Sequence, residues 1–138
     1  AGMKVVLDTN ALVSGLLSPF GTCGEIVRLL VAGGITLCVD ARILLEYEEV
    51  LRRPKFKLSA RRREQVLDYI RGASEVHAAL PLRHALPDPD DAPFLEVALA
   101  AGAAGVITGN LKHYPARCRE GLRVFSPAEF VEYFRRNR

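Results

Sequence analysis

The chain has 138 residues, of which 49% are hydrophobic and 25% charged, and a formal net charge of +3. That length fits one domain and is short for two, and the composition is that of a soluble globular protein. No stretch has 18 uninterrupted apolar residues, which argues against a membrane span.

Ala1-Gly2 before Met3 reads as a tag remnant, which leaves residues 3–138 as the expected domain. No basic segment with an apolar run and a cleavage site precedes it, so the expected compartment is the cytoplasm. The pattern then alternates between short β-type runs and helical runs. Residues 4–8 read as a strand, and residues 10–17 as a short helix stopped by Ser18-Pro19. A second helix spans 22–32 and ends at Gly33-Gly34. Residues 35–39 form a strand. Asp40 caps a helix through about Arg52, closed by Pro54, and Ser59 caps another through about Gly72.

Residues 75–80 are a weak strand. Asp90 or Asp91 opens a helix to about Ala101. Strands follow at 105–108 and 122–125. Ser126-Pro127-Ala128-Glu129 is a capping box that starts a C-terminal helix.

Strands separated by helices imply parallel pairing, because a parallel neighbour needs a crossover. The runs VVL, ITLCV and GVIT are nearly continuous apolar, as in strands covered on both faces. The expected fold is an α/β three-layer α/β/α sandwich with a central parallel sheet. In such sheets ligands bind at the carboxyl ends of the strands.

That rule makes the acids informative. Asp8 ends the first strand, where a capping role competes with a chemical one. Asp91 stands at a later helix start and shares a face with Phe94 and Leu95, so it points toward the protein body. Asp90 can serve as the cap. The segment Val106-Ile107-Thr108-Gly109-Asn110 ends another strand in polar groups. On the helix from Ala41, the apolar stripe is Ile43, Leu44, Tyr47, Val50 and Leu51. Glu49 lies opposite the stripe, and Glu46 and Glu48 lie on its borders; periodicity does not choose between them. Clustered carboxylates repel unless a cation neutralises them, and an all-oxygen set suits Mg²⁺ or Mn²⁺.

Charge is unevenly spread. Seven positive residues and no acid lie from Arg52 to Arg63, and four acids and no base from Asp88 to Glu96. A basic flank beside an acidic cluster suits a metal-dependent enzyme acting on a polyanion. A solvated basic helix face explains the same run. Cys23, Cys38 and Cys118 are odd in number and far apart, with no C-x-x-C, which argues against a disulfide framework and against zinc. His77, His84 and His113 lack metal-ligand spacing among themselves.

Taken together, LDTNALVSGLL, LLEYEEVLRRPKF, LPDPDDAPFLEVALAAGA, VITGNLKHYP and VFSPAEFVEYF resemble the PIN-domain nucleases over nearly the whole chain from Met3. The likeness is greatest to PIN proteins assigned as toxins of toxin–antitoxin modules. The resemblance implies a metal-dependent endoribonuclease that hydrolyses phosphodiesters of single-stranded or structured RNA. It places Asp8, Glu46 and Asp91 as catalytic acids and metal ligands for Mg²⁺ or Mn²⁺, and so picks Glu46 over Glu48. Asn10 and Thr108 match supporting polar positions. At the fourth acid position, where the family often has aspartate, this chain has Asn110, which brings an amide oxygen and no charge. One well-held metal and a weaker second are expected.

Arg52, Arg53, Lys55 and Lys57 are candidate phosphate contacts. A cognate antitoxin protein and a second copy of the chain, as a homodimer, are candidate partners; a membrane is not. The alternative reading is a degenerate PIN domain that binds RNA or a protein partner without cleaving. A haloacid-dehalogenase-type phosphatase would need D-x-D, where Asp8-Thr9-Asn10 stands. A receiver-like domain would need paired acids at the first loop.

Overall fold

Consecutive residues of a strand point to opposite faces of a sheet. Val5, Val6 and Leu7 are each at most 1% exposed, so both faces of that strand must be covered. The same holds for Leu37, Cys38 and Val39. The computed structural model describes residues 2–138 and meets that requirement with helices on both sides of a five-stranded sheet. The tag expectation for Ala1 falls outside the described residues.

The strands are β1 (Met3–Leu7), β2 (Ile35–Val39), β3 (Glu75–Val76), β4 (Val106–Ile107) and β5 (Val124–Phe125). The helices are α1 (Thr9–Leu17), α2 (Thr22–Val31), α3 (Ala41–Leu51), α4 (Ala60–Ala73), α5 (Ala92–Ala101) and α6 (Pro127–Asn137). The strand order is β3-β2-β1-β4-β5, and every pairing is parallel. The three-layer α/β/α sandwich read from the sequence is therefore the observed fold. The order reverses direction at β1: the chain first builds outward through β2 and β3, then crosses back to β4. The seam between β1 and β4 is thus the topological switch point, where the loops leave in opposite directions and open a crevice.

Helix ends follow the local chemistry. Asp40 accepts from the Ile43 amide at 3.0 Å, and Ser59 from the Arg62 amide at 3.2 Å. In the capping box, Ser126 Oγ accepts from the Glu129 amide at 3.1 Å, and Glu129 accepts from the Ser126 amide at 2.8 Å. Gly102, at φ 61°, closes α5 in the left-handed region that a side chain rarely adopts. The stripe of α3 is inward as read, with Ile43, Tyr47, Val50 and Leu51 buried. The fully buried Tyr47 hydroxyl donates to the Leu7 carbonyl, tying α3 to the end of β1.

Several expectations need correction; the strands read over 105–108 and 122–125 are only Val106–Ile107 and Val124–Phe125. The strand read over residues 75–80 is only Glu75–Val76. β3 is an edge strand with one neighbour, and Pro81 follows shortly; Leu80 is 83% exposed and has no core to enter. The helix read from Asp90 or Asp91 begins at Ala92, after a 3₁₀ turn at Pro89–Asp91. Asp88, not Asp90, caps that turn, accepting from the Asp90 amide at 2.9 Å. Among the described residues, no helix is long and apolar enough to cross a membrane.

Candidate active site

Asp8 follows the last residue of β1 and Thr108 the last residue of β4, so pairing of Leu7 with Ile107 sets them side by side at the switch point. Thr108 Oγ1 donates to Asp8 Oδ2 at 2.9 Å. Tyr114, also buried, donates its hydroxyl to the same oxygen at 3.4 Å. The other oxygen accepts from the Asn10 amide at 3.4 Å, a long and weak cap for α1. Asp8 is therefore a buried carboxylate held by its neighbours, with capping as a minor task.

Glu46 reaches this site from α3. One of its oxygens accepts from the Thr9 hydroxyl, next in sequence to Asp8. Burial raises its pKa; the Thr9 hydrogen bond opposes the rise, and the charges of Asp8 and Asp90 add to it. Glu48, the other border residue, faces α4 and pairs with Arg71 at 2.7 Å. The structure thus separates two residues that periodicity could not. Glu49 is exposed and pairs with Arg53 at 3.3 Å.

Asp91 is buried at the start of α5, as its shared face with Phe94 and Leu95 predicts. Burial first, then the charge of Asp8, pushes its carboxyl up to about 6, against a smaller opposing effect of His113. Asp91 Oδ2 is buried without a hydrogen bond. His113 Nδ1 lies 3.1 Å from that oxygen, outside hydrogen-bond geometry. The mutual influence of Asp8, Glu46 and Asp91 places all three in one electrostatic neighbourhood. Their ligand atoms do not all lie within 4.8 Å of one another. These oxygen donors are of the type that could hold a hard divalent ion.

The supporting residues divide. Thr108 contacts Asp8 and also accepts from the Asn110 amide at 3.0 Å. Asn10 contributes its backbone, while the residue is exposed. Asn110 is exposed, and its Nδ2 lies 2.9 Å from His113 Nε2. Sequence reasoning missed Thr9, His113 and Tyr114. The signal for Thr9 was its adjacency to Asp8; for the other two it was only their place in VITGNLKHYP. Burial and, after it, the charges of Asp8 and Asp91 keep the Tyr114 phenol protonated far above its usual range.

The basic run is partly neutralised at home. Arg52 pairs with Glu64 at 3.4 Å and Arg53 with Glu49 at 3.3 Å. Lys55 sits 5.0 Å over the Phe56 ring. Lys57 is exposed, at φ 54°. Exposed pairs of this kind are weak and exchange readily for another anion. Arg52 follows Glu46 by six positions, roughly 9 Å along the helix axis.

Comparison with known proteins bears on this arrangement. A family model described as PIN domain matches residues 4–112, which contain Asp8, Glu46, Asp91 and Asn110. The uncharacterized protein MJ1680 of Methanocaldococcus jannaschii is 28% identical, over 96% of this chain and 92% of its own length.

Proposed function

The chain belongs to the PIN domain family, and from that premise we propose that it is a Mg²⁺- or Mn²⁺-dependent endoribonuclease, with the ion held by Asp8, Glu46 and Asp91. The observation that carries this reading is the group of mutually repelling carboxylates at the switch point, Asp8 and Asp91 buried and Glu46 half-buried, with Asp91 Oδ2 buried and without a hydrogen bond. When bound, such an ion polarises a phosphodiester and lowers the pKa of an attacking water. The protein's own part is positional. Thr108 and Tyr114 fix the Asp8 carboxylate from one side. Thr9 fixes Glu46. His113 stands between Asp91 and Asn110, at the place where the family often carries a fourth acid. With an amide there, the charge available for a second ion is lower.

Purified protein incubated with a structured RNA and with a single-stranded one tests the reading. Cleavage should require Mn²⁺ or Mg²⁺ and stop with a chelator. Retained RNA binding with no cleavage at any metal concentration would favour the degenerate, non-cleaving alternative, for which the uncharged Asn110 speaks. As the toxin of a toxin–antitoxin module, a cytoplasmic protein of this kind would have a small DNA-binding antitoxin encoded beside it. Inspection of the neighbouring reading frame addresses that role.

In this reading Arg52, Arg53, Lys55 and Lys57 hold the RNA backbone. The double charge reversal Lys55→Glu with Lys57→Glu should weaken RNA binding on the order of tenfold or more and flatten its salt dependence. Filter binding across a salt series measures both. An unchanged slope would identify the run as a solvated face.

A further inference from the structure

A second set of metal-binding donors lies on the other half of the sheet, away from the β1–β4 seam. Glu75 and His77 are two residues apart on the edge strand and its continuation, so they project to one face. The His77 amide donates to the Val39 carbonyl at 2.9 Å, which extends the ladder past Val76. Cys38 of β2 is the register partner of Glu75 and faces the same way. One sulfur, one carboxylate oxygen and one imidazole nitrogen lie within 4.8 Å of one another. Among the described residues this is the only such trio of histidine, cysteine and acid side chains.

We propose that Cys38, Glu75 and His77 bind a zinc ion that clips the edge strand β3 to β2. The donor set decides the ion. Thiolate and imidazole suit zinc and its neighbours, whereas Mg²⁺ takes oxygen ligands, so this site is chemically distinct from the acid site. Donors around a tetrahedral zinc stand roughly 3.5 Å apart, given metal–ligand bonds near 2.0–2.3 Å. A small inward shift of the half-exposed Glu75 and His77 closes the shell. Cys38 is fully buried, so an ion would reach it from the side of the half-exposed Glu75 and His77.

A cation already stands at this place: Lys4 Nζ lies 3.2 Å from Glu75 Oε1, on the same oxygen that His77 Nε2 approaches at 3.0 Å. Zinc would displace that ammonium from a pair exposed enough to be weak. The balance of the step is simple. The Cys38 S–H bond breaks as the S–Zn bond forms, the proton leaves to solvent, and His77 binds through a neutral ring nitrogen. No electron is transferred. Burial and, after it, the Glu75 charge keep the free thiol protonated, up to about 11, so metal binding competes with that proton.

Cobalt(II) titration of the chelator-treated full chain tests this. A near-ultraviolet thiolate-to-cobalt charge-transfer band should grow to one equivalent and be bleached by zinc. The band should vanish in Cys38→Ser and persist in the double variant Cys23→Ala with Cys118→Ala, which retains Cys38 alone. The half-exposed His77→Ala keeps the buried core intact and should weaken cobalt binding at least tenfold. Lys4→Met should tighten it by removing the competing cation. Absence of the band from the wild-type chain, its survival in Cys38→Ser, or unchanged affinity in His77→Ala would each overturn the assignment.

Discussion

Asp8→Asn is expected to lower RNA cleavage by on the order of 10³-fold or more, while the fold persists and the metal-free protein becomes more stable. The two effects have one origin. Asp8 supplies charge that a divalent ion needs and that Glu46 and Asp91 must otherwise endure. If Asp8 holds the ion as proposed, its loss removes a ligand whose role is electrostatic, which is where most of the catalytic effect of such a site resides. The isosteric amide keeps an oxygen for the Asn10 amide. Its NH₂ faces the hydroxyls of Thr108 and Tyr114, which can turn to accept instead of donate. The Thr108 and Tyr114 protons then lose Asp8 as their acceptor, a cost that offsets part of the relief of repulsion, while the strand end stays polar. Removing one of three like charges then stabilises the empty site by about 1 kcal/mol. Cleavage at saturating Mn²⁺ and urea unfolding in chelator measure the pair of effects. Activity above about a tenth of wild type would remove Asp8 from the metal's ligands.

The reach of the sequence can be seen in individual residues. β1, β2 and the capped helices were legible because their signals are local: apolar runs, Asp40 and Ser59 at helix starts, the Ser126–Glu129 box. Asp8 was legible as a candidate because a charge at the end of a buried parallel strand has few reasons to exist besides capping. The different surroundings of Glu46 and Glu48 were not, since Thr9 holds one and Arg71 of α4 the other, and helical periodicity sees neither partner. His113 and Tyr114 meet Asp91 and Asp8 only through the fold, and Tyr114 does so across a hundred residues of chain. Cys38 is a plain buried thiol in the sequence. Only the register of β2 with β3 sets it beside Glu75 and His77. The overlong reading of β3 has the converse cause: the local pattern extends past Val76, and no second neighbour exists to hold it.

Acidification should stabilise the metal-free protein through Asp91, against the usual behaviour of carboxylates. In the native chain this carboxyl titrates near 6, and its ordinary value is 3.8. Between those values the native state binds more protons than the unfolded state, so stability falls as pH rises from about 4 to about 6. Below that window the cost is absent, and above it the cost is fully present. A gap of about two pH units corresponds to about 3 kcal/mol. Glu46, raised in the same sense, adds to it. Glu64 and Glu75, lowered by Arg63 and His77 respectively, act in the opposite direction and blur the profile of the whole protein. The difference between wild type and Asp91→Asn removes them, because both proteins share those groups. Urea unfolding in chelator at a series of pH values should therefore show the variant gaining on wild type as pH rises through the window. Saturating Mn²⁺ should abolish the wild-type cost, because a cation offsets the repulsion and ligation requires the deprotonated carboxyl. By the same linkage, Mn²⁺ affinity should weaken about tenfold for each pH unit below 6. If the two proteins run parallel across the window in chelator, Asp91 does not feel Asp8 and Glu46, and the three acids are not one site.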